Sequence, residues 1–492
     1  MNSATAALGI IGAIVIGTIV FALLAARRHV RARAPDDSAE EYVIGGRSLG
    51  SLLLWILMGG EIYTTFTFLG AAGWVYGRGA PAYYILAYGP VAYIIGYFFM
   101  PALWEFARVH GLLTAADFFV ARYESKRLGT LIALLQFCAV LPWYTLQLTG
   151  LQILLTIAGY GHIVPTAAVA ISFGLTALFV FTAGLRGTAW ASVVKDALIL
   201  ISVLFVGIAL PVHFFGSPAR MLTRLDAVKP HWFTLASPTA PQGTIWYVTT
   251  VALTGIGFFM SSQSMSAIYA GKSARAVRRN AIFLPLYQLM LVPVFFAGYT
   301  ALLVVPGLHG TAADRSYLLV VQRYFPAWIL GIVAAAGCLS ALLPASAVLL
   351  STASLLSKNV LSDVFGIARS DRARTWTTRA LVLVIAAGAL AMWLFVHVSL
   401  VEYLLLTYNV VTQFAPGVIL GLFWKRLSLW PVTCGIIVGE GVAGVLTFHP
   451  LALFGINPGF LALALNVAVC VGSSYACRSV PASSPIAVAA EA

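Results

Sequence analysis

Apolar runs of about 20 residues or more recur along nearly the whole 492-residue chain. They fall at about 6–26, 49–76, 82–104, 128–158, 163–184, 188–214, 243–262, 280–305, 328–357, 378–396, 398–424, 428–447 and 458–477. A run of that length crosses the hydrocarbon core as a helix, and only a helix or a closed barrel satisfies every backbone polar group there. Only 9% of the residues are charged, where a soluble domain carries about 25%. The fold class that follows is an all-α polytopic membrane protein with about thirteen transmembrane helices.

The net charge of +13 would suggest nucleic acid in a soluble chain. Here its distribution points elsewhere. With the N-terminus outside, 22 of the 29 basic residues fall in inside segments, 6 fall outside and Lys195 lies within a span. That bias fits the positive-inside rule, and an odd number of spans puts the C-terminus inside. Met1 to Ala26 has no basic stretch before its apolar run, and the basic cluster Arg27, Arg28, Arg31 and Arg33 follows it. This order predicts an uncleaved first helix. The expected setting is a multi-pass protein of the bacterial cytoplasmic (inner) membrane, with no nucleic-acid partner.

The second span, Ser48 to Tyr76, is interrupted in its middle by Gly59-Gly60, with Glu61 next. Glycine weakens a helix, and a carboxylate at mid-depth is expensive enough to suggest function. The seventh span, Thr244 to Ser266, is also interrupted. Gly255 and Gly257 precede Ser261, Ser262, Gln263 and Ser264. The two spans lie five helices apart and run in opposite directions, as in transporters built from inverted repeats with broken helices at a midplane site. The plainer alternative is a pair of kinked, tightly packed helices, since glycine is common at membrane helix contacts. The expected layout is a first helix and basic loop (1–47), a first inverted-repeat half (48–214), an external loop (215–242), a second half (243–426), peripheral helices (427–477) and a disordered tail (478–492).

Other polar residues in the spans admit structural readings. Lys195 and Asp196 are adjacent, so they point about 100° apart on a helix and need not pair; near the inner end they could snorkel. Glu402 begins a helix, where a carboxylate suits the positive end. Glu440 suits a packing role. Cys138, Cys338, Cys434, Cys470 and Cys477 show no paired spacing and read as small buried hydrophobes. No nucleotide-binding P-loop, HExxH zinc pair or nucleophile–base constellation is present, so no enzyme and no directly ATP-driven pump is expected.

Four segments resemble the sodium:solute symporter family. They are Tyr42-Val-Ile-Gly-Gly-Arg-Ser-Leu-Gly50, Thr114-Ala-Ala-Asp-Phe-Phe-Val-Ala-Arg-Tyr123, Pro142-Trp-Tyr-Thr-Leu-Gln147 and the run from Gln413 to Arg426. Trp190 to Asp196, Arg279 to Gln288, Ala341 to Ser346 and Thr352 to Asn359 are similar to the bacterial monocarboxylate permease branch. The resemblance implies a LeuT-type inverted five-helix repeat with broken second and seventh helices. It also implies symport of a small carboxylate, such as lactate or pyruvate, with a coupling cation and no other cofactor. Gly60 and Tyr63 match the family's sodium-binding carbonyls. The two hydroxyl positions of the ninth span, however, fall on Leu343 and Pro344, and the acidic position of the proline permeases falls on Ile62.

Two versions of the coupling site follow. In one, Glu61 carries a proton, with burial raising its affinity. In the other, Gly60, Tyr63 and Ser340, with Ser346, hold a rebuilt sodium site. The backbone at Gly59 to Thr65 would receive the carboxylate, Gly59 and Gly60 included. Thr64, Thr65, Tyr144, Gln147, Phe259, Gln263 and Gln413 are the expected lining of the solute site. The alternative function is a membrane solute sensor without net transport.

Overall fold

The structure is a computed structural model that describes residues 2–31, 44–60, 63–367, 370–449 and 454–476. Glu61, Ile62, the greater part of the basic loop after the first helix, Cys477 and the tail 478–492 lie outside the described residues.

The helices in chain order are α1 (Ser3–Arg31), α2 (Ser51–Gly60), α3 (Ala71–Arg78), α4 (Tyr84–Val109), α5 (Ala115–Tyr123), α6 (Lys126–Ala158), α7 (Pro165–Phe215) and α8 (Pro218–Val228). They continue as α9 (Thr244–Gly257), α10 (Ser262–Ala270), α11 (Ala274–Phe283), α12 (Pro285–Leu289), α13 (Val292–Val304), α14 (Ser316–Tyr324), α15 (Ala327–Leu356), α16 (Asp371–Phe395), α17 (Leu400–Val411), α18 (Leu429–Phe448) and α19 (Pro458–Ala476). Among the described residues the one extended pairing outside the helices is a single bridge between Leu49 and Gly271.

The expected count of about thirteen spans is not confirmed by the long helices alone. Among the described residues ten are long and apolar enough to cross a membrane, or eleven if α9 and α10, bent by 47°, form one span. The second span is cut into α2 and α3, and Pro165–Val180 is a shorter apolar piece. Helical backbone runs without a break from Pro165 to Phe215, through the turn expected between the fifth and sixth spans. The loop expected at 215–242 contains α8, amphipathic and capped by Ser217, which accepts from the Arg220 N–H.

The core lies along α15. Its apolar window is 89% buried within the protein, against 28% for α1. It packs on α7, α6 and α1. The outer faces carry exposed Phe98, Phe395 and Phe448, as a surface solvated by lipid tails requires. Of the cysteines, Cys338 and Cys470 are buried, whereas Cys138 and Cys434 are exposed. That corrects the expectation of burial for the latter two; on a lipid-facing surface a thiol is still a small hydrophobe.

The family-like motifs meet in space. Asp117 closes a capping box with Thr114 and pairs with Lys358 and Asn359. Arg122 Nε donates to the Gly421 carbonyl at 2.6 Å and the Tyr123 hydroxyl to that of Gly417 at 2.6 Å. The segment they hold includes a π-helical stretch, Pro416–Leu420. Arg47, in the left-handed region at φ 49°, donates to the Leu112 carbonyl at 2.7 Å. Burial alone would raise the Asp117 carboxyl, but Lys358 beside it and hydrogen bonds from Asn359 and Leu113 hold it below the ordinary value.

At the N-terminus of α17, Ser399 and Glu402 form a reciprocal capping box. Asp314, 2% exposed, accepts from the Leu400 N–H at 2.9 Å. Burial pushes the Asp314 carboxyl up to about 8, with Glu402 adding to the rise and the Leu400 N–H opposing it. The native state therefore keeps this proton over a range in which the unfolded chain has lost it. Asp314 contributes stability that is complete below pH 3.8 and is lost as pH rises through about 8. The slope between those limits is about 1.4 kcal/mol per pH unit. Asp314→Asn keeps an oxygen acceptor for Leu400 and has no proton to lose, so its melting temperature should vary less with pH than that of the wild type between those limits. Melting curves in detergent across that range measure the difference.

Candidate functional site

The last carbonyls of α2 mark the break in the second span. A helix ending in the apolar interior leaves carbonyls without intrahelical partners, and its C-terminal end carries partial negative charge. Here a cation meets them. Lys195 Nζ, on α7, donates to the Gly60 carbonyl at 3.0 Å and to that of Tyr63 at 3.5 Å. It also sits 2.9 Å from Asp196 Oδ1. The Lys195 side chain is fully buried and that of Asp196 is 6% exposed. The expectation that these neighbours snorkel and need not pair is thus corrected: the long lysine chain spans the 100° between them, and the carbonyls of the break give the ammonium a reason to stay inside.

Asp196 Oδ2 accepts from the Tyr287 hydroxyl at 3.1 Å, and the Tyr63 hydroxyl donates to the Tyr287 carbonyl. The ring of Tyr287 also packs on the glycines. A Cβ at Gly59 would lie 2.6 Å from that ring, and one at Gly60 would lie 2.9 Å from Lys195 Nζ. The glycine pair is therefore the condition for Lys195 and Tyr287 to approach the backbone.

The second break lies between α9 and α10. Ser261 caps α10, its hydroxyl accepting from the Ser264 N–H. A Cβ at Gly257 would lie 2.0 Å from Thr412 Oγ1, so glycine there lets α9 touch the end of α17. Both breaks contribute to one narrow, partly open cavity of about 30 Å³, lined by Thr64, Phe66, Tyr88, Trp143, Phe258, Ser261, Gln263, Ser264, Leu404, Thr407, Tyr408 and Val411. That is room for about two water molecules. None of these side chains is charged; hydroxyls and one amide face aromatic rings. A larger cavity of about 580 Å³ lies at one end of the molecule among Phe214, Arg224, Trp232 and His309. It includes no residue of either break, so the small cavity is the site with converging polar groups and helix ends.

Of the residues expected at the solute site, Thr64 and Gln263 line the cavity. Thr65 turns away, donating to Gln147 Oε1 at 2.8 Å, so these two tie the broken span to α6. On α6 it is Trp143, the neighbour of buried Tyr144, that reaches the cavity. At the second break Phe258 does so, while Phe259 packs against Phe99 and Gly96. Gln413 donates to the Asn409 and Gly459 carbonyls and meets Asn466, facing α18 and α19. Ser340 and Ser346 donate back to Ala336 and Leu342 of their own helix, at 2.9 and 2.6 Å. Leu343 packs with Ala191 and Phe179. Glu61 lies outside the described residues; the cation found at the carbonyl pair is Lys195. The sequence signal for it was a lysine inside an apolar span.

An all-helical membrane protein whose two interrupted helices meet at a buried polar cavity belongs to the class of LeuT-like solute transporters. The particular family follows from comparison: the sodium:solute symporter family profile matches residues 42–439, and the chain belongs to that family. It is 37% identical to the uncharacterized symporter YhjB of Bacillus subtilis over 94% of this chain and 96% of that one. It is 30% identical to the monocarboxylate transport permease protein of Rhizobium johnstonii over 90% and 91% of the two chains. Among solved structures, a Na+-coupled sialic acid symporter superposes with a TM-score of 0.77 over 96% of this chain and 98% of its own, at 17% identity. These relatives are transporters, not enzymes.

Removing one partner of a buried ion pair strands the other, at a cost of about 3–5 kcal/mol. Asp196→Ala should therefore melt well below the wild type. A second substitution, Lys195→Met, made on that background should recover part of the loss, because the stranded charge is then gone. Thermal unfolding of the two variants in detergent reads the sign of the second step.

Proposed function

We propose that the protein takes up a small monocarboxylate, such as lactate or pyruvate, together with a cation, across the bacterial cytoplasmic membrane. The observation that carries this reading is the uncharged cavity at the two helix breaks. An anion brought into such a place without a counter-charge is costly. A site that offers hydroxyls, an amide and helix N-terminal ends, but no arginine or lysine in its lining, favours an anion that travels with a cation.

The chemistry divides along the breaks. At the first break the carbonyls of Gly60 and Tyr63 are met by the Lys195 ammonium. The helix starts at Thr64–Phe66 and Ser261–Ser264 offer hydroxyls and positive helix ends to a carboxylate. Tyr88, Trp143, Phe258 and Tyr408 give apolar walls that suit a short carbon chain. The named monocarboxylate permease among the relatives supports the same substrate class. A cavity of about 30 Å³ is too small for a three-carbon acid, so entry requires the broken helices to part from α6 and α17, as alternating access supplies. The charge bias supports an N-terminus outside and a C-terminus inside.

Uptake of labelled lactate and pyruvate into proteoliposomes tests this. Accumulation should require an imposed cation gradient. Gln263→Ala and Thr64→Ala should each raise KM about tenfold, the loss of one hydrogen bond of about 1.4 kcal/mol. Saturable binding of the acids without accumulation under either a sodium or a proton gradient would instead identify a sensor.

A further inference from the structure

We propose that the larger cavity, at the end of the molecule where α8 lies, holds the headgroup of an anionic phospholipid whose acyl chains run along the lipid-facing side of α7. This site shares no residue with the small cavity at the helix breaks. It does not depend on which solute the protein carries.

Size and charge come first. A volume of about 580 Å³ falls within the range of cavities that hold small molecules. Arg224, Lys229 and His309 line it, and no acidic side chain does. Asp226 is two residues from Arg224, about 200° around α8. Among the described residues the Arg224 guanidinium takes part in no ion pair. Lys229 Nζ lies 4.3 Å from the centre of the Trp232 ring, so its ammonium is held at the wall by an aromatic face and not by an acid. A guanidinium grips a phosphate through paired N–H donors, a lysine adds a point charge, and an imidazole adds a further donor. The set suits a phosphate diester.

The surroundings say that the phosphate belongs to a lipid. Ile201, Leu204, Ile208 and Val212 of α7 are exposed and recur every three or four residues, which makes one apolar stripe along the helix. Phe215, three residues further on, continues the stripe and lines the cavity. Beside it the Phe214 ring meets Tyr324 edge-on, with centroids 4.6 Å apart, and the Arg323 guanidinium lies over Tyr324. Tyr324 and Trp328 are exposed. Exposed aromatic rings with a cation mark the level of lipid headgroups. An occupant with an anionic head and a long apolar tail meets both the basic cavity and the stripe, whereas a free anion meets only the first. The cavity is also tied to α3, the second half of the broken second span. Trp232 Nε1 donates to the Val75 carbonyl at 3.1 Å, and the Tyr76 hydroxyl donates to that of Val305 at 2.8 Å. A headgroup that bridges Arg224 and Lys229 to His309 therefore braces α3 against α8 and the end of α13.

The test uses the full-length protein in a neutral detergent, titrated with dioleoylphosphatidylglycerol or dioleoylphosphatidylcholine, with bound lipid counted by native mass spectrometry. A single phosphatidylglycerol should bind saturably, about tenfold or more tighter than phosphatidylcholine. The double variant Arg224→Gln with Lys229→Gln should lose about tenfold or more of that affinity while eluting as a folded species. Arg315→Gln, an exposed position six residues beyond His309 and outside the cavity, should keep it. Equal affinity of the wild type for the two lipids would overturn the proposal without any variant. So would an equal loss in Arg315→Gln and the double variant, since the attraction would then be general. Displacement of the lipid by glycerol phosphate at matching concentration would make this a site for a soluble anion and would also overturn it. No uptake is measured, so a failure of the transport reading leaves the result intact.

Discussion

A helix interrupted inside a membrane leaves peptide groups with no water to satisfy them, and the arrangement around the second span answers that constraint. At the break, two carbonyls face a buried ammonium, the ammonium faces a carboxylate, and the carboxylate is held by Tyr287. Each group in this chain is costly to bury alone and tolerable only beside the next. The glycine pair, the pairing on α7 and the placement of α12 against α2 are parts of one solution. The cavity one residue further on, at Thr64, inherits its position from it.

The same logic organises the end of the molecule where the family-like motifs gather. Short helix α5 presents Asp117, Arg122 and Tyr123 to three other parts of the chain: the π-helical stretch at Lys358 and Asn359, and the carbonyls of Gly417 and Gly421. These carbonyls belong to or border a π-helical stretch, where the regular ladder leaves them without a partner at the usual spacing. Residues far apart in sequence form a motif set because they complete each other's hydrogen bonds.

Much of this was legible in the residues. The polytopic helical class, the two interrupted spans and a helix start near Glu402 follow from composition, glycine placement and the preference of a carboxylate for a helix N-terminus, all local properties. What was hidden depends on partners distant in sequence. The contact from Lys195 to Gly60 spans 135 residues, and no periodicity reveals it. At the cavity the sequence pointed to Tyr144 and Phe259, whereas Trp143 and Phe258 reach it. One residue turns a helix face by 100°, and the phase of a broken helix is set by what it packs on. Gln413 shares a face with Asn409, yet that face meets α18 and α19. The bend within Thr244–Ala270 and the uninterrupted backbone of α7 likewise reflect tertiary packing that local apolar runs do not encode.

The smallness of the central cavity has a consequence for the membrane in which the protein sits. A space for about two waters, walled by Trp143, Phe258 and Tyr408, leaves little room for a continuous column of water at this point between the two breaks. Protons move readily along such a column, and each one leaking through would dissipate the gradient on which secondary transport draws. Aromatic walls that close down to this volume narrow the route for such a leak. They let a cell keep many copies of the carrier in its membrane without short-circuiting its own energy supply.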